Sequence, residues 1–71
     1  FAEAAVDYQY ALRLDPNLGS PLYGLAESYR GMNRPADART YYERYVASTA
    51  GDVRPELQTD SRSKIEQLRG Q

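Results

Sequence analysis

Cysteine, histidine and tryptophan are absent from the chain, and methionine and phenylalanine occur once each. Without cysteine there is no disulfide framework, no thiolate nucleophile and no zinc site of the cysteine type; without histidine the commonest metal ligand and general base is gone too. No charge of one sign dominates, since nine Lys and Arg stand against ten Asp and Glu for a net charge of −1. That balance lacks the basic stripe of a phosphate-backbone binder, so nucleic acid is not an expected partner. No apolar run approaches the roughly 18 residues of a membrane span, and Phe1 opens an amphipathic pattern instead of the apolar region of a signal peptide. No membrane insertion and no cofactor are expected, and composition leaves the compartment open between cytoplasm and periplasm. Eight Arg to one Lys is a bias compatible with a GC-rich bacterial genome.

What the 71 residues do hold is apolar spacing of helical period. A chain this short buries only about 60% of the surface its unfolded state exposes, so each contact counts. Phe1, Ala4, Ala5, Tyr8, Ala11 and Leu12 fall on one face of a 3.6-residue period, and Asp15-Pro16-Asn17 closes that helix as a turn. Ser20 reads as the N-cap of a second helix, with Pro21 at its first position and Leu22, Leu25, Ala26 and Tyr29 on its apolar face. Asn33, tolerant of the left-handed conformation, stands in the break before Pro35 opens a third helix. Ala38, Tyr41, Tyr42, Tyr45 and Val46 recur there at helical spacing. The fourth segment has a narrower stripe of Leu57, Ser61, Ile65 and Leu68, with charged residues covering most of its circumference. Four helices at about 1–14, 20–32, 35–49 and 53–69 follow from this periodicity.

The first and third segments repeat one another. Ala38 follows Ala4, Tyr42 follows Tyr8 and Ala50 follows Pro16 by 34 residues in each case, with Leu22-x2-Leu25-Ala26-x2-Tyr29 lying between the two copies. The series resembles the tetratricopeptide pattern W-x2-L-G-x2-Y, A-x3-F, P. Leu22 stands where that family has Trp, Ala26 and Asn33 replace Gly, Tyr45 occupies a position that is normally a small Ala, and Ala50 replaces the terminal Pro. The resemblance implies an all-α fold of antiparallel helical hairpins, stacked as a short tetratricopeptide-like solenoid and forming a single domain over 1–71. In it, 1–18 is the second helix of a partial repeat, 19–52 one full repeat and 53–71 a capping helix whose polar outer face ends the stack. The half repeat and the missing initiator Met, with the polar last segment, lead to the expectation that the chain is a C-terminal fragment of a longer repeat array.

In this family the first helix of each repeat lines a concave groove that holds an extended peptide or a partner's helix. Ser20, Tyr23, Gly24, Glu27 and Arg30 match the groove-lining positions, on a side of the second helix well away from its apolar residues. Gly24, well inside the helix, costs roughly 1 kcal/mol relative to Ala, and close approach of a ligand or another helix would explain it. The clamp of Lys, Asn and Arg that holds a C-terminal carboxylate in some members is not supplied, and Glu27 would repel such a group. Tyr8, Tyr29 and Tyr42 are expected in the core. Tyr45 is expected to pack on the capping helix, and Tyr10 and Tyr41 lie off the centre of their stripes as candidate partner contacts.

Glu27, Glu43, Asp60 and Glu66 read as acids scattered singly on solvent-facing positions, with no base beside a Ser or Thr, so no catalytic residue is expected. Arg62, Lys64 and Arg69 read as a solvated helix face. Phe1, Ala4, Ala5, Tyr8 and Leu12 would pack on a first helix that this chain lacks, and such an uncovered stripe is a ready site for a homodimer through the N-terminal helix. The function expected is a non-catalytic protein–protein interaction module that binds a protein or peptide and contains no metal site. The alternatives are a regulatory or positioning segment of a larger enzyme, and a homo-oligomerisation unit.

Overall fold

Pro16, the turn after residue 30 and the proline at 35 separate the first three helices where the breaks in periodicity predict, and Pro55 sets the start of the fourth. The computed structural model describes residues 1–70; Gln71, the last residue of the expected capping segment, lies outside them. The helices are α1 (Ala2–Leu14), α2 (Ser20–Gly31), α3 (Pro35–Ala47) and α4 (Pro55–Leu68), with no strand among the described residues. Each packs on the next in sequence, and the result is a slab of 33 × 26 × 14 Å.

The helix ends have local causes. Asp15 turns extended ahead of Pro16, which disfavours the α conformation before it, and the Asp15 carboxylate accepts the Asn17 N–H at 3.1 Å. α2 closes in a Schellman arrangement: Asn33 stands at φ 59°, its N–H donates to the Arg30 carbonyl, and the Arg34 N–H reaches back to the Tyr29 carbonyl at 2.9 Å. The third and fourth helices are shorter than the periodicity suggests. Ser48 is already extended after α3, and α4 waits for Pro55 because Arg54, preceding a proline, is held extended.

Ser20 is not the N-cap. It is the first helical residue, no side chain of its own segment caps α2, and the Asp52 carboxylate from the α3–α4 connection does so instead. Its two oxygens accept the Gly19 N–H at 2.8 Å and the Ser20 N–H at 2.9 Å. These bonds lower the Asp52 pKa, and they place a negative charge at the positive end of the helix. Gly19 permits the approach, since a Cβ there would overlap the Val53 side chain.

The core joins Ala5, Leu25, Ala26, Tyr29, Ala38, Tyr42 and Leu68, with Leu12, Tyr23, Met32, Tyr41 and Ile65 half-buried around it. Ser61, in the apolar stripe of α4, is fully buried and satisfied by donating its hydroxyl to the Leu57 carbonyl at 2.7 Å. Tyr45 fills the position that Ala11 holds in the preceding copy; it is fully buried, and its hydroxyl accepts the N–H of Arg54, the residue leading into α4.

The expectation for Tyr8 fails. Tyr42 is 0% exposed, but Tyr8, at the same repeat position, is 37% exposed. α3 packs on both α2 and α4, whereas among the described elements α1 packs on α2. Of the stripe expected to be uncovered on α1, Ala5 is in the core and Leu12 is half-buried against it. Phe1 and Tyr8 keep one side in water and lay the other on Gly31 and Gly24 of α2.

Candidate functional site on α2 and α4

The helical spacing that takes Leu22, Leu25 and Tyr29 into the core leaves Tyr23, Glu27 and Arg30 together on another side of α2. There they meet α4. Asp60 and Lys64, four residues apart and so on one face of α4, come over this side and build a network with it. The Tyr23 hydroxyl donates to Asp60 at 2.5 Å, lies 3.1 Å from Glu27, and accepts from the Lys64 ammonium at 3.3 Å. Lys64 also pairs with Glu27 at 2.8 Å and with Asp60 at 2.9 Å. Beneath them the Tyr42 hydroxyl of α3 donates to Glu27, and the Arg30 Nε–H is shared between Glu27 and Tyr42 at 3.1 Å each.

The rings are packed as closely as the polar groups. Tyr23 meets Tyr42 edge-on at 5.9 Å between centroids and Tyr45 at 5.4 Å, and the Lys64 ammonium stands 5.5 Å from the Tyr23 ring and 5.8 Å from that of Tyr42. One carboxylate, Glu27, thus receives donors from three helices. Burial alone would raise its pKa, but the bonds from Lys64, Tyr42 and Arg30 outweigh burial and hold it at about 2. Asp60 is also lowered, by the Tyr23 hydroxyl and by Lys64. Burial, and then the carboxylates they face, push the Tyr23 and Tyr42 phenols up. Burial pulls Lys64 down, but its two carboxylate partners more than reverse this.

Two sequence expectations are corrected here. Glu27 and Asp60 are not scattered singly, because the packing of α4 on the hairpin brings both to one tyrosine hydroxyl and one ammonium. Lys64 does not belong to a solvated face; its side chain is 16% exposed, while Arg62 and Arg69 do lie in water. The i,i+4 pair Asp60 and Lys64 was the available signal, but which face of α4 turns toward α2 depends on the length of the 48–54 connection.

The five groove candidates are placed unequally. Ser20 and Arg30 are exposed, and Tyr23 and Glu27 are half-buried inside the network. Gly24 faces the Tyr8 ring, so the close approach that its spacing suggested is made by α1. Tyr41 is half-buried and stacks on Tyr29 at 5.6 Å, with the Arg44 guanidinium 5.1 Å from it on α3 and Arg34 5.0 Å from Tyr29. No group of acids able to hold a metal ion occurs among the described residues, no pocket is formed among them, and no helix is long and apolar enough to cross a membrane.

The family model of the tetratricopeptide repeat matches residues 1–59. The chain belongs to the tetratricopeptide repeat family, and its helical hairpins are the family's fold. No curated protein and no solved structure matches it. Membership makes it a protein–protein interaction module in general terms, of a kind that is generally a non-catalytic scaffold.

Proposed function

We propose that the side of α2 carrying Ser20, Tyr23, Gly24, Glu27 and Arg30, extended by Asp60 and Lys64 of α4, receives an extended peptide or a partner helix. One observation supports this above the others. The Arg30 guanidinium is held from within through its Nε, while its two terminal NH2 groups make no hydrogen bond among the described residues and its side chain is 46% exposed. A planar fork fixed in this way suits the carbonyl oxygens of an incoming chain, and preorganisation lowers the ordering cost of binding. Gly24 enters this surface only beside the Tyr8 ring that covers it. The division into a half repeat at 1–18, a full repeat at 19–52 and a cap from 53 belongs to the same proposal.

The test is selection of peptides from a random display library against the chain, followed by affinity measurement with Arg30→Ala. Selected peptides should lose about tenfold in affinity, with little change in melting temperature. Peptides that bind the variant as well as the parent would show that this face is not the receptor.

A second reading, self-association through α1, is favoured by one comparison. Ala38, Tyr42 and Tyr45 are closed to solvent, while their counterparts Ala4, Tyr8 and Ala11 are not. If a second copy closes them, Tyr8→Glu abolishes a dimer seen by sedimentation equilibrium.

A further inference from the structure

A different row of α1 carries apolar side chains that repeat stacking does not explain. Val6, Tyr10 and Leu14 follow one another at four-residue spacing and are 64%, 58% and 69% exposed. Their counterparts 34 residues on are Thr40, Arg44 and Ser48, a polar row. α3 packs on helices both before and after it, yet Thr40 and Arg44 remain exposed. A helix stacked over Ala4, Tyr8 and Ala11 would therefore leave Val6 and Tyr10 in water; Ser48 lies past the end of α3 and is half-buried, so Leu14 joins them through its own exposure and its place in the row. Large apolar side chains lined up on a surface that the fold does not close mark an interaction site.

We infer that this ridge docks an amphipathic helix of a separate protein, with an apolar stripe and basic residues along one flank. A four-residue row is the ridge that packs into the groove of a second helix. The row beside it begins with Glu3 and Asp7, both exposed and neither in an ion pair among the described residues. The row on the other side ends in Gln9 and Arg13, with the Gln9 amide turned inward to donate to the Tyr29 hydroxyl at 2.8 Å. One flank is thus acidic and unmatched, and lysines or arginines on the partner complete it. A second copy of this chain fits poorly. In a two-fold antiparallel pairing each flank meets the same flank of the copy, so the acidic row would face another acidic row. Three large side chains and a charged rim make a small contact, of the size expected for a transient complex.

The experiment uses the whole chain and two labelled synthetic helical peptides, each with leucines at four-residue spacing, one flanked by lysines and the other by glutamates, in fluorescence anisotropy titrations. The lysine peptide should bind about tenfold more tightly than the glutamate peptide, and added salt should narrow the gap. Glu3→Lys with Asp7→Lys should reverse the preference. Val6→Thr, Tyr10→Arg and Leu14→Ser together, which install the residues found 34 positions further along the chain, should abolish binding without lowering the melting temperature. Equal binding of the two peptides, binding of neither, or retention of binding by the triple variant would overturn the inference. A dimer of the chain dispersed by that triple variant would overturn it as well, in favour of a second copy.

Discussion

The ring of Tyr8 occupies the space into which a Cβ on Gly24 would project. Seven residues earlier, at the N-cap of α1, Phe1 stands in the same relation to Gly31, seven residues later in α2, so a ring on α1 and a ring at its start meet two glycines on the antiparallel neighbour. Gly24 therefore offsets a helix-propensity cost of about 1 kcal/mol with the seating of an aromatic ring. Gly24→Ala is expected to lower the melting temperature of the parent or leave it unchanged. In a Tyr8→Ala background, where nothing opposes the new methyl, the same change should stabilise by about 1 kcal/mol. Thermal unfolding of the four proteins of this cycle measures the coupling.

Glu27 and Lys64 should be coupled to a similar degree. Their side chains are 32% and 16% exposed, which discounts the pairing well below that of a buried ion pair. Glu27→Gln and Lys64→Met, singly and together, should reveal an interaction of about 1 kcal/mol in urea unfolding. Additive effects would mean that α4 is held to α2 by its apolar stripe alone.

The pH dependence of stability has a sign at each end. Glu27 is lowered from an ordinary 4.5 to about 2, so its contribution is complete above the unfolded value and is lost as pH falls from about 4.5 toward 2; Asp52 and Asp60, also lowered, act in the same direction. Tyr23, Tyr42 and Lys64 are raised from ordinary values of 10.0, 10.0 and 10.5, so their contributions are complete below those values and are lost as pH rises beyond them. Melting temperature should be flat between these limbs. Glu27→Gln should flatten much of the acid limb, and Asp52→Asn a further part of it.

The helices and the repeat were legible in the chain because they rest on local causes: the 3.6-residue period, prolines at helix starts and Asn33 in the left-handed turn. The burial of Tyr29 and Tyr42 followed from the same spacing. What the spacing could not show was which neighbour each face would meet. Tyr8 and Tyr42 occupy one repeat position, yet only Tyr42 is sealed, because burial depends on how many helices flank the position. Lys64 and Asp60 looked solvated for a related reason: a charged helix face reads as solvent-facing until the 48–54 connection aims it at Glu27. The Asp52 cap spans 33 residues to Gly19 and leaves no mark in the sequence near Ser20.

Tyr29 and Tyr42 are distinguished from Arg30 by what they cost. Alanine at either tyrosine should destabilise by about 3–5 kcal/mol, as large aromatic truncations in a core do. Arg30→Ala should cost about 0.5 kcal/mol, since its pairing is exposed. Chemical denaturation of the three variants separates the groups, and a large loss at Arg30 would show that its guanidinium supports the fold more than it offers a contact.

The most direct test of the α2–α4 surface is a two-dimensional amide NMR titration of the chain with a library-selected peptide. Shifts should concentrate at Ser20, Glu27, Arg30, Asp60 and Lys64 and disappear in Arg30→Ala. Shifts confined to α1 or to the outer side of α3, with these five amides unmoved, would contradict the account.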